Sequence, residues 1–403
     1  MRSIHGIASL VIIGLLGTLS GTTAASPLAD AFTQAWQRQP AVAGLVERER
    51  AAASRIAAAD AWTAQPPSVE LGWRGDRFNR NQGASEQDYG LVLPLWLPGE
   101  RRGSQALAAA EQEALAGQTA SLRLQVAQAV RDAWWAWQLA RNERELMVAR
   151  LDAARRLRDD VARRFAAGDL SRADLNQAEG ALAQGQFAEA EAQAAEAMAR
   201  LRLETLTGQP AAAGNVEAEP LPQGAPGTHP VLRELSGRGE VARRNVDLAR
   251  AQGRANPELA IATRRERATG DEVMAQTWAV GVRIPLSAGP RQDARIALAN
   301  AEFVEAGLAY ERERERLDGE AAAWALQVQA GRSQLAAAEQ RARVAGDNRR
   351  FYDKSFRLGE TDLPTRLRSE AEAQEAERAL GRARIALARM ISQWRQSLGL
   401  LPE

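Results

Sequence analysis

The chain has 403 residues, of which 52 are basic and 51 acidic, so its formal net charge is +1. This balance excludes a strongly basic nucleic-acid footprint, and the absence of cysteine excludes disulfides, thiolate metal sites and thiol nucleophiles. The only histidines, His5 and His229, lie in a leader-like segment and a linker-like segment, where neither is suited to catalysis or metal binding. We therefore expect no enzymatic activity, no cofactor, no metal site and no nucleic-acid partner.

The first segment, residues 1–25, is typical of a cleavable secretory signal. Arg2 precedes an apolar run from Ile7 to Leu16, and small or hydroxyl residues lead to Ala25. The run is much shorter than the roughly 20 residues that a membrane-spanning helix needs. The pattern predicts cleavage near Ala25 and a mature chain that works outside the cytoplasm.

An alanine-rich helical pattern then runs from Pro27 to Trp62, and two stretches of alternating apolar and polar residues follow it. The apolar positions are Val69, Leu71 and Trp73 in the first stretch and Tyr89, Leu91, Leu93 and Leu95 in the second. The segment between them is polar. Because period-two alternation on both sides of a polar loop is typical of a β-hairpin, we predict a hairpin here.

A much longer helical pattern runs from Glu100 to Phe165 without a break. At 1.5 Å per residue, about 65 residues make a rod of roughly 100 Å. Apolar residues form one narrow stripe along it, as in packed coiled coils. The tryptophans at 134, 135 and 137 are interpreted as packing among the helices, with a ligand-binding role as the alternative. Gly168 is expected to end the rod with a positive φ, and Ser171 is expected to cap a return helix.

The whole order recurs 191 positions later, because the segment 65–184 is repeated at 256–374. The matched pairs are Pro66 and Pro257, Pro94 and Pro285, Phe165 and Phe356, and Gly168 and Gly359. The repeat divides the mature chain into a first repeat (26–206), a Pro- and Gly-rich linker (207–229) and a second repeat (230–403). The second repeat is predicted to contain a second hairpin, a rod from Arg291 to Phe356, and a return helix capped at Thr361.

Isolated β-hairpins leave their edges unpaired, and helices with one narrow apolar stripe need neighbours. A homo-oligomer that closes the strands and the helices into tubes satisfies both requirements. We therefore expect several copies of the chain to share one barrel.

The element order and the tip sequences, 164–175 (RFAAGDLSRADL) and 355–361 (SFRLGET), resemble the TolC-like family of outer-membrane efflux factors. The resemblance implies a mainly α fold with a small β part: a homotrimer in which duplicated helical hairpins form an α-barrel and four strands per chain contribute to a transmembrane β-barrel. It implies an outer-membrane location that extends into the periplasm, and passive export from an inner-membrane pump of RND type through a periplasmic adaptor. The tip phrases favour the heavy-metal resistance branch. The alternative is a periplasmic coiled-coil adaptor or scaffold without channel activity.

The resemblance also implies roles for particular residues. The expected adaptor-binding tips are Gly168, Asp169, Leu170, Ser171, Gly359, Glu360 and Thr361, although turn and cap chemistry alone would also explain their types. The expected tunnel entrance contains Asp174, Asp362, Arg366 and Arg368. Some members of the family carry a ring of acidic residues at the entrance as a cation filter, whereas this chain has Arg366 and Arg368 there. These arginines would repel cations unless paired with Asp174 or Asp362. The expected contacts with outer-membrane lipid at the membrane interface are Trp73, Tyr89, Trp96 and Trp278.

Overall fold

A computed structural model of the protein describes residues 26–79, 81–211, 218–223, 227–286 and 289–403. The predicted signal segment and parts of the predicted linker lie outside the described residues. Within the described ranges, no helix is both long and apolar enough to cross a membrane.

The two halves of the chain have the same sequence of main elements. The first contains α1 (Pro27–Gln37), α2 (Pro40–Ala43), α3 (Leu45–Ala59), β1 (Ser68–Gly75), β2 (Ser85–Pro94), α4 (Glu100–Ala166) and α5 (Arg172–Thr207). The second contains α6 (Pro230–Ala251), β3 (Glu258–Arg267), β4 (Ala275–Arg283), α7 (Pro290–Arg357) and α8 (Leu363–Ser397). Both predicted hairpins and both predicted rods are present.

The first helical segment differs from the prediction, because it is broken into three helices and ends before Trp62. Gln39 precedes a proline and adopts an extended conformation, with φ −66° and ψ 129°. Pro40 has no N–H to continue the bonding of α1, so a new helix begins there. Trp62 follows the last of these helices and is 75% exposed.

The rods α4 and α7 contain 67 and 68 residues, and each runs about 100 Å. Each packs along its own return helix, so α4 pairs with α5 and α7 pairs with α8. Midway along α4, Trp134, Trp135 and Trp137 are buried against α1, α5 and α8. The interpretation of the three tryptophans as helix packing is confirmed.

The four strands form one antiparallel sheet in the order β1-β2-β3-β4. The central pairing joins the two repeats, since β2 aligns with β3 from Ser85 opposite Arg267 to Pro94 opposite Glu258. The two predicted hairpins are therefore joined into one sheet within the chain. The edge strands β1 and β4 each have one side to which no other strand of the described residues is paired.

A buried ionic cluster connects the predicted linker to the helices. Glu219 accepts hydrogen bonds from Arg131 of α4 at 2.7 and 3.0 Å, and from the hydroxyl of Ser392 of α8. Arg395 lies 3.3 Å from the same carboxylate and donates to the Pro220 carbonyl. The linker is thus fixed to both repeats at this point.

Candidate functional site: the hairpin tips and the strand surface

The first tip is a tight glycine turn between α4 and α5. Gly168 has a φ of +86°, and its N–H donates to the Phe165 carbonyl at 3.0 Å. The N–H of Asp169 donates to the Arg164 carbonyl at 2.9 Å, which completes a Schellman-type C-cap. Gly168 and Asp169 are exposed and Leu170 is half-buried, so the turn presents backbone and small side chains to its surroundings.

A capping box starts the return helix α5, and the predicted cap at Ser171 is confirmed. The Ser171 hydroxyl accepts from the Asp174 N–H at 3.2 Å, and the Asp174 carboxylate accepts from the Ser171 N–H at 2.9 Å. The hydroxyl also donates to this carboxylate at 2.6 Å. Asp174 is therefore engaged within its own turn.

The second tip has the same turn but a different cap. Gly359 has a φ of +78°, and Glu360 donates its N–H to the Ser355 carbonyl at 3.0 Å. The predicted cap at Thr361 was wrong, because Asp362 occupies the N-cap position and accepts from the Thr365 N–H at 3.1 Å. The Thr361 hydroxyl instead lies 2.6 Å from the Ser355 hydroxyl. The 191-residue repeat could have found this cap, since it aligns Ser171 with position 362.

The hydrogen bonds at this cap also affect its acidity. The side chain and the N–H of Thr365 bond to the Asp362 carboxylate and hold the pKa of Asp362 below its usual range, with a smaller contribution from the positive charge of Arg368. Asp362 is exposed and ionised at neutral pH. Asp362 and Arg368 therefore place opposite charges within two turns at the start of α8.

The two tips pack against each other around Phe356, which is 2% exposed. The guanidinium groups of Arg164 and Arg366 lie over its ring at 5.0 and 4.9 Å from the centroid. Beneath this stack, Val161, Leu175 and Leu363 continue one apolar cluster. The two hairpin ends therefore form a single packed unit.

The residues expected at the entrance lie at the starts of the two return helices, and one of them has an ionic partner within the chain. Arg366 pairs with Asp353 of α7 at 2.7 Å, rather than with Asp174 or Asp362. Arg368 is exposed. Sequence reasoning missed Asp353 and the stacking of Arg164, because both contacts join different elements and leave no periodic pattern.

The sheet has two chemically different faces. One face is exposed and apolar over most of its length: Leu71 and Val280 are 74% and 73% exposed, and Trp73, Tyr89 and Trp278 lie on the same face. Arg265 and Arg267 lie on this face at the end next to the hairpin loops. The other face carries ion pairs, from Arg264 to Glu86 at 2.9 Å and to Asp88 at 2.8 Å. Trp96 lies beyond β2 and is half-buried, and its indole donates to the Ala61 carbonyl at 3.0 Å. The structure thus groups three of the four predicted interface aromatics on the sheet, with Trp96 below it.

The chain is similar to outer-membrane efflux proteins. Residues 31–209 match the family described as outer membrane efflux protein. No curated protein matches the sequence.

Solved structures match nearly the full length at low sequence identity. One is the outer membrane protein VceC of Vibrio cholerae, with 17% identity and a TM-score of 0.72 over 93% of this chain and 97% of that one. Another is the CmeC outer membrane channel of Campylobacter jejuni, with 15% identity and a TM-score of 0.74 over 99% and 94%. The open MtrE outer membrane channel of Neisseria gonorrhoeae matches with 17% identity and a TM-score of 0.73 over 93% and 89%.

These matches confirm the predicted fold class. The family match begins within α1 and ends at residue 209, two residues after α5, and so covers nearly all of the first repeat. The structural matches extend over the second repeat as well. Residues 31–209 thus match the outer membrane efflux protein family, and the chain as a whole has the fold of these solved outer-membrane proteins.

Proposed function

We propose that the chain is the outer-membrane exit duct of a tripartite efflux system. Three copies form the duct, which passively conducts substrates delivered by an inner-membrane pump of RND type through a periplasmic adaptor. The duct crosses the outer membrane with its strands and extends into the periplasm with its helices. On the tip phrases at 164–171 and 358–361, we assign it to the heavy-metal resistance branch.

The four-stranded sheet is the observation that carries this proposal. Its exposed apolar face suits lipid, and its ionic face suits a water-filled lumen. Unpaired edge strands inside a membrane leave backbone groups without partners, so β1 and β4 must each pair with another strand. Pairing between copies meets this need, and three copies bring 12 strands from the four in each chain.

The helices supply the periplasmic part of the proposal. The rods α4 and α7 lead away from the sheet for about 100 Å and end in exposed glycine turns. Such a turn exposes backbone for contact with another helical hairpin. We therefore keep the tips at 168–171 and 359–361 as the proposed adaptor contact, and the aromatics of the sheet as the proposed lipid contact.

The proposal is tested by membrane fractionation, native mass determination and conductance in planar bilayers. We expect the protein in the outer membrane, with the mass of three chains and a steady ionic conductance. A soluble periplasmic species without conductance would reject the duct and favour the coiled-coil adaptor. The exposed apolar face of the sheet already disfavours that alternative, because a soluble adaptor has no use for it.

A further inference from the structure

A groove near the tips, between the α4–α5 hairpin and the α7–α8 hairpin, has a composition unlike the rest of the chain. It encloses about 1150 Å³. Its lining contains seven arginines but only three acidic residues, Asp160, Asp353 and Glu370, whereas the whole chain is balanced at a net charge of +1. The groove is therefore a local concentration of positive charge.

The lining acids are already used within the chain. Asp353 pairs with both Arg357 and Arg366, each at 2.7 Å. Asp160 lies 3.5 Å from Arg164, and Glu370 lies 3.8 Å from Arg349. Each acid is thus neutralised by an arginine of the same groove. Arg350 pairs with Asp347 and Arg349 also lies 3.5 Å from Glu377, two acids outside the lining, so the remaining excess of positive charge rests on Arg150 and Arg156.

Two of the arginines carry that excess most directly. Arg150 and Arg156 of α4 line the groove, and neither makes an ion pair with any residue that the structure describes. A guanidinium group can bind a carboxylate through two parallel hydrogen bonds. These two side chains are therefore available to an acidic partner.

The lining of the groove has a composition that suits a helix. Small and apolar residues line it between the arginines: Ala153, Ala154, Leu157, Ala181, Leu367 and Ala371. Along α4 the lining extends from Arg150 to Arg164, which is about 20 Å, or four helical turns. An amphipathic helix placed here would set its apolar stripe on the alanines and its flanking side chains against the arginines.

We infer that this groove binds an acidic amphipathic helix of a partner protein, one that carries carboxylates on both sides of an alanine or leucine stripe. The inference rests on the proposed function, in which the partner is the periplasmic adaptor, and it adds the chemistry by which that adaptor is selected. Charge complementarity favours such a partner over a second copy of this chain, whose arginines and acids are nearly equal in number.

The test uses the full-length protein in detergent and a fluorescent stapled helix of about 20 residues, with glutamates flanking an alanine and leucine stripe. A second probe has glutamine at every glutamate. Binding is measured by anisotropy at low and high salt. The groove variant is Arg150→Gln with Arg156→Gln, and the matched control is Arg202→Gln with Arg332→Gln, which changes two exposed arginines outside the groove.

We expect the glutamate probe to bind, and to bind more weakly as salt rises. The groove variant should weaken binding about tenfold, as the loss of two charge pairs predicts, and the control variant should not. The glutamine probe, which has lost every carboxylate, should bind at least as weakly as that. Equal binding of both probes, or no effect of the groove variant, would overturn the inference. Loss of the trimer in the groove variant alone would also overturn it, since the groove would then be an interface between copies. The proposed function is tested independently of the groove, by the conductance of the unmodified protein in planar bilayers.

Discussion

At the residue scale, Gly168 and Gly359 are required at the tips because of their backbone conformation, and not because a side chain would lack room. A Cβ added at either position would have no atom within 4 Å, yet φ is +86° at one and +78° at the other. A side chain there would strain the backbone by about 1–2 kcal/mol. Substitution should therefore deform the turn without disturbing the packing below it.

We expect Gly168→Val and Gly359→Val to impair export while the trimer and its membrane insertion remain intact. Export is measured as survival of a host whose only exit duct is this protein, challenged with metal salts and organic compounds. Gly180→Val is the matched control, because Gly180 lies in α5 with equally open surroundings and no positive φ. Unchanged export in both single variants and in the double variant would show that the tips are not the coupling site.

The caps of the return helices give a second prediction at this scale. Ser171→Ala removes the capping box of α5 and should destabilise its first turn by about 1 kcal/mol. Asp362→Ala should likewise speed hydrogen exchange in the first turn of α8, whereas Thr361→Ala should not, because Thr361 does not bond to that turn. An effect of Thr361→Ala equal to that of Asp362→Ala would contradict this assignment.

The cap at Asp362 also predicts a pH dependence. The folded-state pKa of Asp362 is lowered, so the ionised carboxylate stabilises the folded cap. This stabilisation is complete above the unfolded pKa of about 3.9 and is lost as the pH falls through the folded-state pKa. The rate of amide hydrogen exchange in the first turn of α8, corrected for the intrinsic exchange rate, should remain low at pH values above the unfolded pKa and increase below it. Asp362→Asn keeps a capping side chain that does not titrate, so it should show no such rise.

At the scale of elements, the buried cluster around Glu219 connects the linker, α4 and α8. The side chains of Arg131, Glu219 and Arg395 are all nearly inaccessible to solvent. A buried charge that loses its partner is strongly unfavourable, and here one carboxylate serves two guanidinium groups. The linker therefore stabilises the contact between the repeats as well as joining them.

Glu219→Ala should lower the free energy of unfolding by about 3 kcal/mol or more, because it leaves the buried Arg131 without a counter-charge and leaves Arg395 with the exposed carboxylate of Glu403 as its remaining partner. The measurement is thermal or denaturant unfolding of the trimer. Glu47→Ala is the control: among the described residues, Glu47 forms an ion pair only with the exposed Arg50, and its loss should change stability by less than about 0.5 kcal/mol. Equal stability of the two variants would show that the cluster is not a structural anchor.

The elements were predictable from the sequence where the pattern is local. The rods, the hairpins and the glycine turns follow from periodicity, from prolines and from the 191-residue repeat. The break of the first helical segment at Pro40 could have been predicted from this proline. It was missed because the alanine-rich sequence on both sides of Pro40 favours a helix. Three features could not be predicted from the sequence, because each joins segments that are distant in sequence. They are the pairing of β2 with β3, the ion pair of Arg366 with Asp353, and the arginine groove.

At the scale of the whole molecule, the ionic face of the sheet gives the proposed lumen a net charge. The carboxylates on this face are Glu70, Glu86, Asp88, Glu258 and Glu266, and the arginines are Arg74, Arg264 and Arg283. Five negative and three positive groups leave −2 in each chain. Glu70 is exposed and has no ion pair within the described ranges, so its charge acts directly on the lumen.

Glu70→Lys should therefore lower the preference of the channel for potassium over chloride, since it changes the charge of the face by +2 in every chain. The measurement is the reversal potential in planar bilayers under a potassium chloride gradient. Glu47→Lys makes the same charge change on α3, away from the sheet, and should leave the reversal potential unchanged. A reversal potential unaffected by Glu70→Lys would place this residue outside the conducting path.

The unlike caps of the two tips also bear on symmetry. One tip begins its return helix with a serine capping box, and the other begins with an aspartate followed by Leu363 and Pro364. A threefold assembly of such chains presents six tips around one rim, alternating between the two kinds. A partner that engages every tip must supply six contacting segments, and neighbouring segments will meet surfaces that are similar but not equivalent.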